Sequence, residues 1–226
     1  MRFTKNRYEH KGPKIIGIAG AGRGTGVTHL TLMTANYLQS ACGKKTAVLE
    51  RNGHGDFCRF GKMCTGQKKE KDCYRIQEVD YYPKAGAGSL MECINAGYQW
   101  VLIDYGTIEE ISYVELMQCG IVWILMSFSE WQMEAFWESV RQKESRIAEN
   151  WQFFTAFGSE ESRIEWNKRR RPEILRIPFS VDAFTVTREL MEWEHTVIQK
   201  SSFWGNVSRQ GLLKRKGKEL LMKIKR

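Results

Sequence analysis

Several absences bound the chain before any motif is read. The 226 residues contain no apolar run near the roughly 20 that a membrane-spanning helix needs, and the longest strongly apolar run, Ile121 to Met126, is far shorter. The six cysteines (Cys42, Cys58, Cys64, Cys73, Cys93 and Cys119) include no pair at C-x-x-C spacing. A zinc site assembled from His54, Cys58, Cys64 and Cys73 is therefore not the expectation. Residues Met1 to Pro13 are basic and lack the apolar core of a secretory signal, so free thiols in a reducing cytosol are expected. No internal repeat and no internal linker is visible. Disorder throughout is excluded by an aromatic content of 12%.

What is present is basic overall and unevenly so. The formal net charge is +9. Residues 208–226 hold eight basic residues and one acid, and residues 1–14 hold five basic residues and one acid. The body between these ends is close to neutral. Charge concentrated in tails is a local electrostatic device, not a charged binding face.

Along the body, short apolar runs alternate with helical patterns. Lys14–Ala19, Thr46–Leu49, Trp100–Ile103, Ile121–Met126, Trp151–Ala156 and Ile174–Ile177 read as strands, with Arg75–Val79 a further candidate. Helices are expected over about 27–40, 89–96 and 129–149, and Thr65–Asp72 reads as a surface loop. Continuous apolar strands alternating with helices predict an α/β fold, a mainly parallel, doubly wound sheet with helices on both faces. The expected organisation is a basic N-terminal tail over 1–13, one domain over 14–207 and a basic amphipathic helix over 208–226.

One segment carries chemistry. Gly20-Ala21-Gly22-Arg23-Gly24-Thr25-Gly26-Val27-Thr28-His29 follows an expected strand and opens an expected helix. Glycines let a backbone curl so that successive N–H groups point at one anion, and a helix N-terminus adds a favourable field. In that context the segment reads as a phosphate loop. A tight turn that only packs strand on helix is the competing reading.

Two further segments make the resemblance specific. The chain resembles the MinD/ParA family of P-loop ATPases, including the CpaE/TadZ-type proteins of pilus assembly. The family loop G-K-G-G-V-G-K-T-T falls on Ala21 to His29, its D-x-D-P-Q-G element on Glu50 to Gly55, and its apolar strand ending in Asp on Val101 to Asp104. Ser127-Phe128-Ser129 lies where the family often has a strand-end loop near the base, and Ile177-Pro178-Phe179 resembles its late I-P segment. The resemblance spans about Lys14 to Thr187. It implies a nucleotide cradle at Gly22, Arg23, Gly24, Thr25, Gly26, Val27, Thr28 and His29. It also implies a Mg²⁺ site at Thr28, Glu50 and Asp104, with ATP as the cofactor.

The departures bear on activity. Val27 stands at the loop lysine that holds phosphate, and Gly22 at the signature lysine that reaches across an ATP-bridged dimer. Asn52 stands at the carboxylate that orients the attacking water. Arg23 lies beside the lost charge, but a guanidinium does not reproduce an ammonium's geometry. Phosphoryl transfer depends on positioned charge, so binding is expected over hydrolysis.

Each residue also has a plainer reading. Thr28 would cap a helix, Asp104 would sit in a turn and Glu50 would be a solvated acid. Arg23 would touch nothing, while His29 and His54 would make local hydrogen bonds. Lys168-Arg169-Arg170-Arg171 would form a solvated loop.

Trp131, Phe136 and Trp137 are expected to face the core, with a protein interface as the alternative. In the tail, Leu213, Leu220, Leu221 and Ile224 fall at helical spacing among lysines, interrupted by Gly217. It resembles in type the membrane-targeting helix of MinD. An anionic membrane surface is the expected partner, with nucleic acid or the chain's own domain as alternatives. The reading is a cytoplasmic protein, peripheral at the cell membrane, that localises or scaffolds an assembly. An active ATPase helped by Arg23 or a partner residue, and a DNA-binding partition-type protein, are the alternatives. A protein partner is expected, and a homodimer remains open.

Overall fold

Strand β1, Lys14–Gly20, shows why the apolar runs are continuous. Ile16 and Ile18 project into one core and Ala19 into another, on opposite faces of the sheet. The same alternation holds in β5 (Trp100–Thr107), where Leu102 faces one core and Val101 and Ile103 the other. In β6 (Ile121–Phe128), Trp123 and Leu125 separate from Val122 and Ile124 in the same way. Both faces are covered, so no polar alternation survives in the sequence.

The computed structural model describes residues 12–66, 69–129, 150–169 and 172–200. Its eight strands form one sheet in the order β3-β4-β2-β5-β1-β6-β7-β8. The others are β2 (Thr46–Glu50), β3 (Tyr74–Ile76), β4 (Val79–Tyr82), β7 (Trp151–Gly158) and β8 (Ile174–Arg176). All pairings are parallel except β3 with β4. One face is covered by α1 (Val27–Asn36) and by the helix over 188–200, called α6, through Leu30, Met33, Leu190 and Val197. The other is covered by α3 (Ser89–Asn95), α4 (Tyr113–Gln118) and α5 (Glu160–Arg169), through Cys93, Leu116 and Trp166.

The expected α/β architecture is therefore what the chain adopts. Several elements differ from the reading of the sequence. The candidate strand Arg75–Val79 is a hairpin, because Gln77 and Glu78 both take left-handed backbone, φ 48 and 62. Two consecutive left-handed residues are the pattern of a two-residue hairpin turn, which Asn-Gly usually signals and Gln-Glu does not. The first helix ends in a π turn at Tyr37–Ala41. Helix α2 (Asp56–Thr65), α4, α5 and α6 were not expected. Lys168 is the penultimate residue of α5, not part of a loop. The helix expected over 129–149, with Trp131, Phe136 and Trp137, and both charged tails lie outside the described residues.

All six cysteines are free thiols. No described helix is long and apolar enough to cross a membrane.

Candidate phosphate-binding site

Strands β1, β2 and β5 run parallel; β1 and β5 end opposite each other at Gly20 and Thr107, and Glu50, the last residue of β2, lies opposite Asp104 in register. Ligands of open α/β sheets gather beyond such strand ends. From β1 the chain passes through residues 21–26 into α1. Gly26, just before the helix, has φ 95, and Gly24 has φ 75, a backbone that side chains disfavour. Thr25 is buried and its hydroxyl donates to the Gly22 carbonyl at 3.1 Å, closing the loop on itself. A Cβ added at Gly22 or Gly24 would meet nothing within 4 Å, so the loop faces open space there. Helix α1 has no side-chain cap and no acid in its first turn, which leaves its first N–H groups to an outside acceptor.

A cleft of about 280 Å³ lies against residues 22–29 and is closed by His54, Asp56, Gly106 and Thr107. All eight residues at which a cradle was expected line this one cleft. Within it, position 27 supplies no charge: Val27 is buried and belongs to the core. Arg23 is exposed and lies 3.9 Å from Glu110.

The expected metal set is only partly assembled. Thr28 donates its hydroxyl to Asp104 Oδ2 at 2.7 Å, rather than capping its own helix. Asp104 is fully buried inside β5, which runs three residues past the expected end at Asp104 to Thr107, and is not in a solvated turn. Its Oδ1 accepts the Asn52 side-chain amide and the Gly106 N–H, both at 2.9 Å. Burial pushes the Asp104 carboxyl above the usual range, opposed by the bonds from Thr28 and Gly106. Glu50 is not the solvated acid its charge suggested, since it is 1% exposed. Its Oε1 accepts the N–H of Asp56 at 2.6 Å and of Phe57 at 3.3 Å, capping α2, while Oε2 is buried with no partner among the described residues. Burial raises its pKa against those two bonds. The pair Thr28 and Asp104 offers hard oxygens of the kind Mg²⁺ takes, and Glu50 would join only by turning Oε2. Among the described residues no group of three or more His, Cys, Asp or Glu is placed to hold a metal ion.

Four site features were not anticipated. Gly106 and Thr107 complete the cleft, and Asp56 lines it while paired with Arg59 at 2.6 Å. Asn52 acts as a donor to Asp104. Glu110 receives Arg23. The run Asp104-Tyr105-Gly106-Thr107 carried a usable signal for the first of these, since a glycine two residues after the acid can take the left-handed backbone, φ 70, that sets its N–H on the carboxylate. His29 and His54 do line the cleft, but their Nε2 atoms are buried and make no hydrogen bond among the described residues.

No family model matches the chain, and no curated protein matches it by sequence. Its fold is that of ParA/MinD P-loop ATPase structures. A plasmid partition protein of Borrelia burgdorferi (BB_S35), solved with AMPPNP bound, superposes with a TM-score of 0.59 at 13% identity, over 83% of this chain and 97% of that one. A ParA family ATPase from Chlorobium tepidum gives 0.57 at 13% identity, over 82% and 92%. A chain of the MinC:MinD cell division protein complex of Aquifex aeolicus gives 0.52 at 15% identity, over 67% and 72%.

Proposed function

We propose that this chain is a nucleotide-binding protein of ParA/MinD type that binds ATP with Mg²⁺ and hydrolyses it slowly or not at all, and that it localises or scaffolds a cellular assembly through a protein partner. One observation carries the reading. The phosphate loop keeps its backbone cradle and the Thr28–Asp104 pair, yet the side chain at position 27 is sunk in the core and position 22 has none. Mg²⁺, when bound, would neutralise phosphate charge; Thr28 and Asp104 would hold it. The loop N–H groups and the start of α1 would bind the phosphates. Asn52, whose amide donates to Asp104, is no base for an attacking water.

Titration calorimetry with ATP and Mg²⁺, paired with a steady-state ATPase assay, tests the proposal. Binding with turnover at background supports it. Turnover clearly above background that Asp104→Ala abolishes would establish the active-ATPase reading, with Arg23 or a partner residue as the cation. The basic segment 208–226 is assigned to an anionic membrane surface on its sequence pattern. Flotation with anionic liposomes should be lost in a chain ending at Val207. Equal flotation of both chains would sink the assignment, and salt-sensitive DNA binding would favour the partition-type alternative.

A further inference from the structure

Helix α6 carries an apolar stripe with an acid at its centre. Leu190 and Val197 are buried in the core, Trp193 packs edge-on to Phe154 at 5.6 Å, and Ile198 is partly buried beside them. Glu194 falls on the same inward face, one turn from Leu190 and from Val197, and is fully buried. An inward position in such a stripe ordinarily holds an apolar residue. The carboxyl has one donor across the joint, the Thr34 hydroxyl of α1 at 2.7 Å, and its Oε2 has no partner among the described residues. Strands β6 and β7 present Trp123, Leu125 and Phe154 on this face of the sheet, and none of these titrates. The titratable groups at the joint are Tyr37, with Cys42 beside it, and His195 on α6 itself. The Tyr37 hydroxyl lies 3.5 Å from His195 Nδ1, and the exposed His195 meets Gln199 through Nε2 at 2.7 Å. Glu194 has no ion pair among the described residues. A carboxyl so placed fits the joint when protonated and opposes it when ionised. The sheet is complete at Arg176, before α6 begins, so α6 can separate without breaking a strand pairing.

We propose that α6 is a pH-sensitive strap: loss of the Glu194 proton releases it from α1 while the sheet and the phosphate loop stay folded. The device does not depend on nucleotide binding. Burial raises the Glu194 pKa from 4.5 to about 8 in the docked helix, and release returns it to the ordinary value. Release is therefore linked to the loss of one proton. The opening equilibrium should grow about tenfold per pH unit from about pH 4.5 to about pH 8, and then level off. The strap leads toward the basic segment 208–226, so release extends that segment's reach from the domain.

Native-state hydrogen exchange of the full-length chain, from about pH 6 to about pH 8, tests the strap once rates are corrected for intrinsic exchange. Amides of residues 188–200 should lose protection about tenfold per pH unit, while those of β1, β5 and β6 remain better protected. Glu194→Gln cannot ionise and should flatten the α6 profile. His195→Gln should keep the slope, which separates the carboxyl from the imidazole beside it. If α6 is as protected as the sheet at every pH, the helix opens only when the whole domain unfolds, and the strap is overturned. A slope that survives in Glu194→Gln, or disappears in His195→Gln, overturns it as well.

Discussion

The two ends of helix α1 use the same bond for different purposes. Near its start, Thr28 donates to the buried Asp104 at 2.7 Å; two turns on, Thr34 donates to the buried Glu194 of α6, also at 2.7 Å. Neither carboxylate is exposed at all. Asp104 has two more donors, the Asn52 amide and the Gly106 N–H, whereas among the described residues Glu194 has Thr34 alone and its Oε2 has no partner. Burial lifts the pKa of both acids, and for Glu194 it reaches about 8. Donors, rather than depth, decide whether a buried acid can carry charge. The loop end surrounds its acid with three donors at the mouth of a cleft. The far end keeps a proton and seals a helix joint, with Tyr37 OH beside His195 at 3.5 Å and the Asn36 amide on the Ala183 carbonyl at 3.3 Å.

The largest effect should come from removing the titration at the sealed end. With a folded pKa raised from 4.5 to about 8, Glu194 contributes stability that is complete below pH 4.5 and lost progressively as pH rises to about 8. Glu194→Gln keeps the shape and cannot ionise. Urea unfolding across pH should find variant and wild type alike near pH 4. The variant should then gain steadily, to roughly 5 kcal/mol above pH 8. A pH-independent difference would show that Glu194 is ionised or solvated, and would erase the contrast between the two ends.

At the loop end the corresponding change adds a charge. Asn52→Asp sets a second carboxylate where an amide now lies 2.9 Å from Asp104 Oδ1. Without divalent metal this should cost about 2–3 kcal/mol at neutral pH, through a lost donor and a new like-charge contact. Mg²⁺ should restore part of the loss, because the variant gathers the hard oxygens that ion prefers. Chemical denaturation with and without Mg²⁺ reads both. Indifference to Mg²⁺ would mean that Asp104 is closed to cations, and Mg²⁺ would leave the proposed function.

How much of this was legible in the sequence depends on how local each cause is. The strands were readable because two-sided burial writes itself as an apolar run, as in Ile121–Phe128. The loop was readable because only glycine tolerates the backbone at Gly24 and Gly26. Helix α2 was hidden, since its start depends on a cap from Glu50, six residues upstream on another element. The Gln77–Glu78 turn was hidden because neither residue advertises left-handed backbone. The Thr34–Glu194 bond joins residues 160 apart, a distance no periodicity reports. Asn52 was read for the carboxylate it lacks, while its role as a donor to Asp104 needed three dimensions.

The smallest effects give the sharpest test of donor counting. Thr34→Val and Thr28→Val each delete one hydroxyl with little change of shape. Thr34→Val strips Glu194 of its one donor among the described residues, and should cost about 2 kcal/mol at pH 7. Thr28→Val leaves Asp104 with Asn52 and Gly106, and should cost about 1 kcal/mol or less. Denaturant midpoints at unchanged m-value would measure both. The order matters more than either number. If Thr28→Val proved the costlier, the Asn52 and Gly106 bonds would not be compensating for it. Asp104 would then be as dependent on α1 as Glu194 is, and the loop end would be a structural joint rather than a prepared anion site.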